Sequence, residues 1–250
     1  MKKQIDIVAF PTAREMKLVR DAKISELNIP VQVNPELAGM INLSRFITPL
    51  QVQPLDKKVN RILKRGADII ISGILIVALL SWLVPLVAIL IRLNSKGPIF
   101  FLQKRNKRNG QLFTCIKFRS MVLNKDADIL PAEKNDQRVT GVGRFLRNHY
   151  IDELPQLFNV LWGDMSLIGP RPHMVSDNFK YDQLIKNYDY RHKVKPGITG
   201  LAQVLGYVGS INDVKMMESR VNMDIFYVRH WSSRLDVLIL LRTARRTLGI

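Results

Sequence analysis

The stretch IIISGILIVALLSWLVPLVAILI, residues 69–91, carries no charge over 23 residues. At 1.5 Å per residue a straight helix of this length covers about 35 Å, enough to cross a bilayer core. A buried core helix is the other reading; the length and the lack of any charge oppose it. Both flanks are basic. Lys57, Lys58, Arg61, Lys64 and Arg65 precede the run, and Arg92, Lys96, Lys104, Arg105, Lys107 and Arg108 follow it. A clean span would leave one basic flank on the far side, against the positive-inside tendency. Pro85 interrupts the run, removes one backbone donor, frees the carbonyl of Ser81 and favours a bend there. The pattern therefore predicts a segment that enters the membrane, bends around Ser81 and Pro85, and returns to its starting side.

Beyond this run the composition is ordinary for a globular chain, with 250 residues and 47% hydrophobic residues. The net charge of +17 is not ordinary. It suits nucleic acid, anionic lipid or a phosphorylated substrate. The apolar run favours the last two, so anionic membrane lipids are expected partners and nucleic acid is not. Cys115 is the only cysteine, which excludes an intramolecular disulfide. No apolar stretch follows the charged start Met1-Lys2-Lys3, so no cleavable signal peptide is expected.

Residues 1–56 mix short apolar pieces with five prolines and read as an irregular extension, with one short helix expected near Ala13 to Leu27. Lys57 to Arg65 reads as a basic helical lead-in, and Asn94 to Pro98 as a breaker. Ile99 to Arg105 and Gln111 to Phe118, joined through Asn109-Gly110, predict a β-hairpin. Residues 119–170 read as mainly helical with breaks at Pro131, Gly141 and Gly163. Phe179 to Lys193 is a further helical candidate. Pro196-Gly197 and Gly200 predict a turn before a short strand at Leu201 to Leu205. Val214 to Leu248 reads as two helices broken near Trp231.

Asp152-Glu153, within Ile151-Asp152-Glu153-Leu154-Pro155-Gln156-Leu157, is the first candidate for chemistry. Adjacent acids repel unless a cation offsets them. Mg²⁺ suits such a pair, because it takes one or two carboxylates plus phosphate oxygens. A solvated helix start is the commoner reading of an isolated acid pair. The surroundings argue otherwise. Asp136 to Arg147 supplies Arg138, Arg144 and Arg147, and Pro170-Arg171-Pro172 holds an arginine between two prolines. A stiffened arginine suits bidentate contact with phosphate. The four histidines lack metal-ligand spacing, and Cys115 on the hairpin reads as packed.

Taken in order, these motifs resemble a known family. Lys64-Arg65 with Asp68, Gly97 to Phe101 with Gln103 and Arg105, and Lys117-Phe118-Arg119-Ser120-Met121 come first. The Asp136 to Arg147 segment, Asp152 to Leu161 and Gly163 to Pro172 follow. Lys195 to Gly200 with Ala202-Gln203-Val204, then Arg220, Asp224, Tyr227, Trp231-Ser232 and Asp236, complete the set. Together they are similar to the bacterial sugar transferases, the monotopic phosphoglycosyl transferases that begin surface-glycan assembly.

The resemblance implies transfer of a sugar-1-phosphate from a UDP-sugar to polyprenyl (undecaprenyl) phosphate, with release of UMP and help from Mg²⁺. It implies Asp152 as nucleophile, through a phosphosugar-aspartyl intermediate, with Glu153 placing the metal beside Asp152 or handling a proton. Arg147 and Arg171 are the leading phosphate ligands, with Lys117, Arg119, Arg138 and Arg220 behind them. It also implies a re-entrant helix broken near a proline, both ends cytoplasmic, at the bacterial inner membrane. Some members place serine directly before that proline; here Val84 does, and Ser81 lies one turn back.

The expected fold is α+β: a mostly helical compact catalytic domain with a small β-hairpin and a re-entrant membrane helix. The expected division is an extension of unknown role at 1–56, a lead-in and membrane helix at 57–96, and a cytoplasmic catalytic domain at 97–250, the small form of the family. The rival from another class is a noncatalytic membrane-anchored basic module that binds anionic lipid or a partner protein.

Overall fold

The computed structural model describes residues 53–124, 136–209 and 213–248. Most of the expected extension, including the helix expected near Ala13 to Leu27, lies outside them.

The apolar run forms one continuous helical path, Lys58–Asn94, of 37 residues. It comprises α1 (Lys58–Leu75), a wide turn (Ile76–Leu80) and α2 (Ser81–Asn94). In the wide turn the Ser81 amide reaches back five residues to the Ile76 carbonyl. The irregularity expected at Pro85 thus lies one turn before it, and the helix continues through the proline. The local chemistry accounts for this. The proline ring blocks the ordinary bond to Ser81's carbonyl, and a wider turn upstream absorbs the misfit. Two side chains serve the loosened carbonyls: Ser81 Oγ donates to Val77 at 2.6 Å and Trp82 Nε1 to Ala78 at 3.0 Å.

One face of this helix is buried. Leu80, Leu83, Val87 and Ile91, at helical spacing, join the main core. The opposite face, with Ile70, Ile74, Val77, Trp82, Leu86 and Ile89, is exposed and apolar. Both ends are tied to the same domain. Near the start, Lys64 donates to Asp236 at 2.7 Å, and Arg65 to the Val160 and Leu161 carbonyls at 2.6 and 2.7 Å. Asp68 accepts from Ser166 Oγ and the Leu167 amide, both at 3.0 Å. At the far end Asn94 accepts from the Val142 amide at 3.2 Å.

The hairpin is present as β1 (Phe100–Asn106) and β2 (Leu112–Phe118), with Phe100 opposite Phe118 and Asn106 opposite Leu112. Asn109 and Gly110 turn the chain with φ of 59° and 71°. The region expected to be mainly helical contains α3 (Gly141–Asn148), a tight turn at Ile151–Glu153 and α4 (Gln156–Trp162). It also contains an unexpected strand, β3 (Ser166–Ile168). β3 pairs in parallel with β4 (Gly197–Thr199), where a turn was expected. The expected strand at Leu201 to Leu205 is instead the short helix α6 (Leu201–Val204), preceded by α5 (Val175–Leu184). The strand falls earlier because it passes close to the Gly169 backbone at Gly197, where there is no room for a side chain. A Cβ on Gly197 would stand 2.1 Å from the Gly169 amide nitrogen. The helix expected at Phe179 to Lys193 splits: α5 ends at Leu184, Asn187 takes φ 61°, and Tyr188–Lys193 forms a separate tight turn. The two expected C-terminal helices are present as α7 (Val214–His230) and α8 (Ser233–Leu248). The chain is α+β and mostly helical.

Candidate functional site

The site forms where β2, the Ile151–Glu153 turn and the Pro170-Arg171-Pro172 loop meet. Asn159 on α4 brings the first two together. Its side-chain amide donates to the Thr114 carbonyl at 2.8 Å and accepts from the Ile116 amide at 3.0 Å, as a neighbouring strand would. α4 is therefore seated on β2 in one register. The turn before α4 then falls beside Lys117. Tyr150, which enters that turn, has a left-handed φ of 56°, a conformation that non-glycine residues adopt only when their surroundings hold it.

The two acids receive opposite treatment. Glu153 is held by cations on both oxygens. Lys117 Nζ donates to Oε1 at 2.9 Å, Arg171 Nη1 to Oε2 at 2.9 Å, and Arg171 Nη2 to Oε1 as well. Burial alone would raise its pKa, yet the Arg171 and Lys117 charges outweigh that and hold it well below the ordinary value. The Arg171 guanidinium is raised in turn, chiefly by Glu153. Asp152 is 7% exposed and accepts no hydrogen bond or ion pair from the described residues. Burial pushes its carboxyl up to about 6; Lys117, Arg147 and Arg171 restrain the rise and Glu153 adds to it.

Among the expected phosphate ligands, the structure gathers Lys117, Arg147 and Arg171 around Asp152. Arg147 lies in the last turn of α3, and its guanidinium has no hydrogen-bond partner among the described residues. Arg220 is buried and near Arg171; its guanidinium donates to the Tyr207 carbonyl at 2.9 and 3.1 Å. Burial, then Arg171, lower its pKa to about 10. Two expected ligands are committed elsewhere. Arg119 is buried and caps the end of α2, donating to the Lys96 carbonyl and, at 2.8 Å, to that of Ser95. A helix end leaves carbonyls without partners, and this arginine supplies donors to them. Arg138 grips Asp136, two residues away, at 2.7 to 3.1 Å. Glu153, expected as a metal ligand beside Asp152, has no oxygen clear of a cation. Among the described residues no three His, Cys, Asp or Glu side chains converge as a metal cluster. Of the two acids only Asp152 has a carboxylate with no hydrogen-bond partner among the described residues, which fits Mg²⁺ only where a substrate's phosphates complete its shell.

Three contributors went unassigned in the sequence. Asn159 and Arg105 belong to the quoted motifs, but nothing in the pattern gave them a role. Arg191 sits in Tyr190-Arg191-His192-Lys193, a basic run whose members look alike until the fold buries one of them. Cys115 is packed, as expected: it is buried, and burial raises its thiol pKa. His149 bonds the Phe145 carbonyl at 2.9 Å.

Comparison with known proteins matches residues 59–249 to the family model described as bacterial sugar transferase. A Klebsiella pneumoniae protein named UDP-glucose:undecaprenyl-phosphate glucose-1-phosphate transferase is 46% identical over 198 residues, covering 79% of this chain and 42% of its own length. A protein of the same name from Caulobacter vibrioides is 44% identical over 191 residues, covering 76% of this chain and 71% of its own. An Aeromonas hydrophila protein named UDP-N-acetylgalactosamine-undecaprenyl-phosphate N-acetylgalactosaminephosphotransferase is 39% identical over 233 residues, covering 91% and 54%. The chain thus spans less than half the length of the Klebsiella relative. The family match runs from the root of the membrane helix to the end of α8, through every element that builds the site, and on that ground the chain belongs to the bacterial sugar transferase family.

Proposed function

We propose that this protein transfers a sugar-1-phosphate from a UDP-sugar to polyprenyl phosphate, releasing UMP. The observation that carries the reading is the unequal pair. Of two adjacent carboxylates in a basic site, Glu153 is locked between Lys117 and Arg171, while Asp152 keeps both oxygens open.

In the first step an Asp152 oxygen attacks the sugar-bearing phosphorus of the UDP-sugar. A carboxyl–phosphate bond forms, the bond to the UMP oxygen breaks, and UMP leaves with the electron pair. In the second, an oxygen of polyprenyl phosphate attacks the same phosphorus and Asp152 departs as a free carboxylate. Carboxylate nucleophiles split one difficult transfer into two in this way. Arg147 and Arg171 balance charge on the phosphoryl oxygens, with Lys117 behind them. Glu153 acts as the counter-ion that fixes two of these cations; a carboxyl held so low is a poor proton acceptor near neutrality. Mg²⁺, carried in on the diphosphate and met by Asp152, would neutralise charge on the leaving group.

The acceptor is a lipid, and the helix supports its delivery. Its exposed face is apolar, and both its ends are fastened to the domain that bears Asp152. We infer that both flanks stay on the cytoplasmic side of the inner membrane and that the run dips into the bilayer without crossing it. The rest of the basic surface would face anionic headgroups.

Purified chain incubated with UDP-sugars and Mg²⁺, without acceptor, is expected to release UMP and gain the mass of one phosphosugar. Asp152→Asn is expected to do neither. Normal turnover by that variant would remove Asp152 as nucleophile, and no UMP from any UDP-sugar would favour the noncatalytic module.

A further inference from the structure

Beneath the arginine loop lies a polar cluster that the proposed reaction does not itself use. Arg191, on the Tyr188–Lys193 turn, and Asp224, on α7, form an ion pair with side chains 1% and 2% exposed. Arg191 Nε and Nη2 donate to Asp224 Oδ2 at 3.1 and 2.8 Å, and Nη1 to the Tyr188 hydroxyl at 3.3 Å. The pair is not closed on itself, because Nη2 also donates to the backbone carbonyl of Arg171 at 2.6 Å. From the hairpin side, Arg105 Nη1 donates to the next carbonyl, that of Pro172, at 3.1 Å. Two consecutive carbonyls of the loop are thus pinned by guanidinium groups from separate elements.

A buried ion pair is weak evidence for stability, since losing hydration costs roughly what mutual attraction returns. The outward reach of this one is what distinguishes it. A continuous path runs from Asp224 to Arg191, to the Arg171 backbone, and through the Arg171 side chain to Glu153 and Lys117. With the backbone of Arg171 fixed, its guanidinium has one way to span both Glu153 oxygens.

We propose that Arg191, anchored by Asp224, is a positioning residue for the transfer reaction: it sets Arg171 against Glu153 and so keeps Asp152 the one open carboxylate. The inference rests on the function proposed above. Lysine cannot substitute here, because one ammonium cannot serve Asp224, Tyr188 and the Arg171 carbonyl in the directions a guanidinium does.

The test uses the full chain in lipid nanodiscs, with polyprenyl phosphate and whichever UDP-sugar gives UMP with the native protein. Absence of UMP with every donor would sink the function itself, and the relay with it. Given native activity, Arg191→Lys is expected to lower kcat at least tenfold. In an Arg171→Lys background, where the grip on Glu153 is already lost, the same change should cost less than threefold. Equal losses in both backgrounds would show that Arg191 does not act through Arg171 and would overturn the proposal.

Asp224→Asn, which keeps the size of the anchor and removes its charge, carries the test if Arg191→Lys does not fold. It should lower kcat at least tenfold alone and less than threefold in the Arg171→Lys background, and equal losses in the two backgrounds overturn the proposal equally.

Discussion

Asp152 and Glu153 are neighbours in the chain and opposite in their thermodynamics. Asp152 is raised to about 6 by burial, so the protonated form is the one the fold prefers. Its contribution to stability is complete below the unfolded carboxyl's pKa and is lost as pH rises through 6. At pH 7.5 the ionised group therefore weakens the fold, by about 1–3 kcal/mol. Asp152→Asn is expected to raise the melting temperature at pH 7.5, with a gain that shrinks toward pH 4, while it abolishes UMP release. Glu153 runs the other way. Its depressed pKa gives stability that is present above the unfolded value and is lost as pH falls. Glu153→Gln should lower the melting temperature at pH 7.5, at a cost of about 3 kcal/mol, because Arg171 and Lys117 lose their counter-ion. Thermal unfolding of both variants at two pH values checks these signs. The sequence marked the pair but not the contrast. Which acid is free depends on the direction of each side chain on a tight turn entered by a left-handed Tyr150, and no spacing rule encodes that.

At the level of elements, the site depends on how α4 sits on β2. Asn159→Leu would leave the Thr114 carbonyl and the Ile116 amide without partners, at a cost of about 2–4 kcal/mol. It should also reduce UMP release, because the Glu153–Lys117 contact follows from that register. Unfolding midpoints and initial rates together test it. The hairpin was readable because two runs of suitable length flank Asn109-Gly110. The β3–β4 pair was not, since three-residue strands are too short to show alternation, and their position is set by glycines packed against backbone. The contacts of Arg119 and Arg138 are hidden for a related reason. Their partners are carbonyls at a helix end and an acid two residues away, and a sequence does not advertise a carbonyl.

At the scale of the whole molecule, the question is where the two basic flanks lie. Single cysteines placed at Lys58 and at Lys96, in a Cys115→Ser background, are expected to react with a membrane-impermeant reagent only from the cytoplasmic side. Labelling from opposite sides would establish a span and remove the re-entrant reading. The charge pattern and Pro85 are what raise this topology as an expectation. The course of the helix was not legible, because the wide turn at Ile76–Leu80 lets the path continue through the proline instead of breaking at it. The root of that helix also has a history in time. Lys64, Arg65 and Asp68 find their partners at Asp236, Val160 and Leu167, between 95 and 172 residues further along the chain. A growing chain emerges from its N-terminal end, so the apolar run meets the bilayer before any of those partners has been made. During that interval Lys64 and Arg65 lack those partners, and bare charges of this kind are attracted to anionic headgroups. Once the later residues arrive, the same two side chains become internal fastenings. The charges placed to orient a newborn helix are those that bolt it to the finished domain.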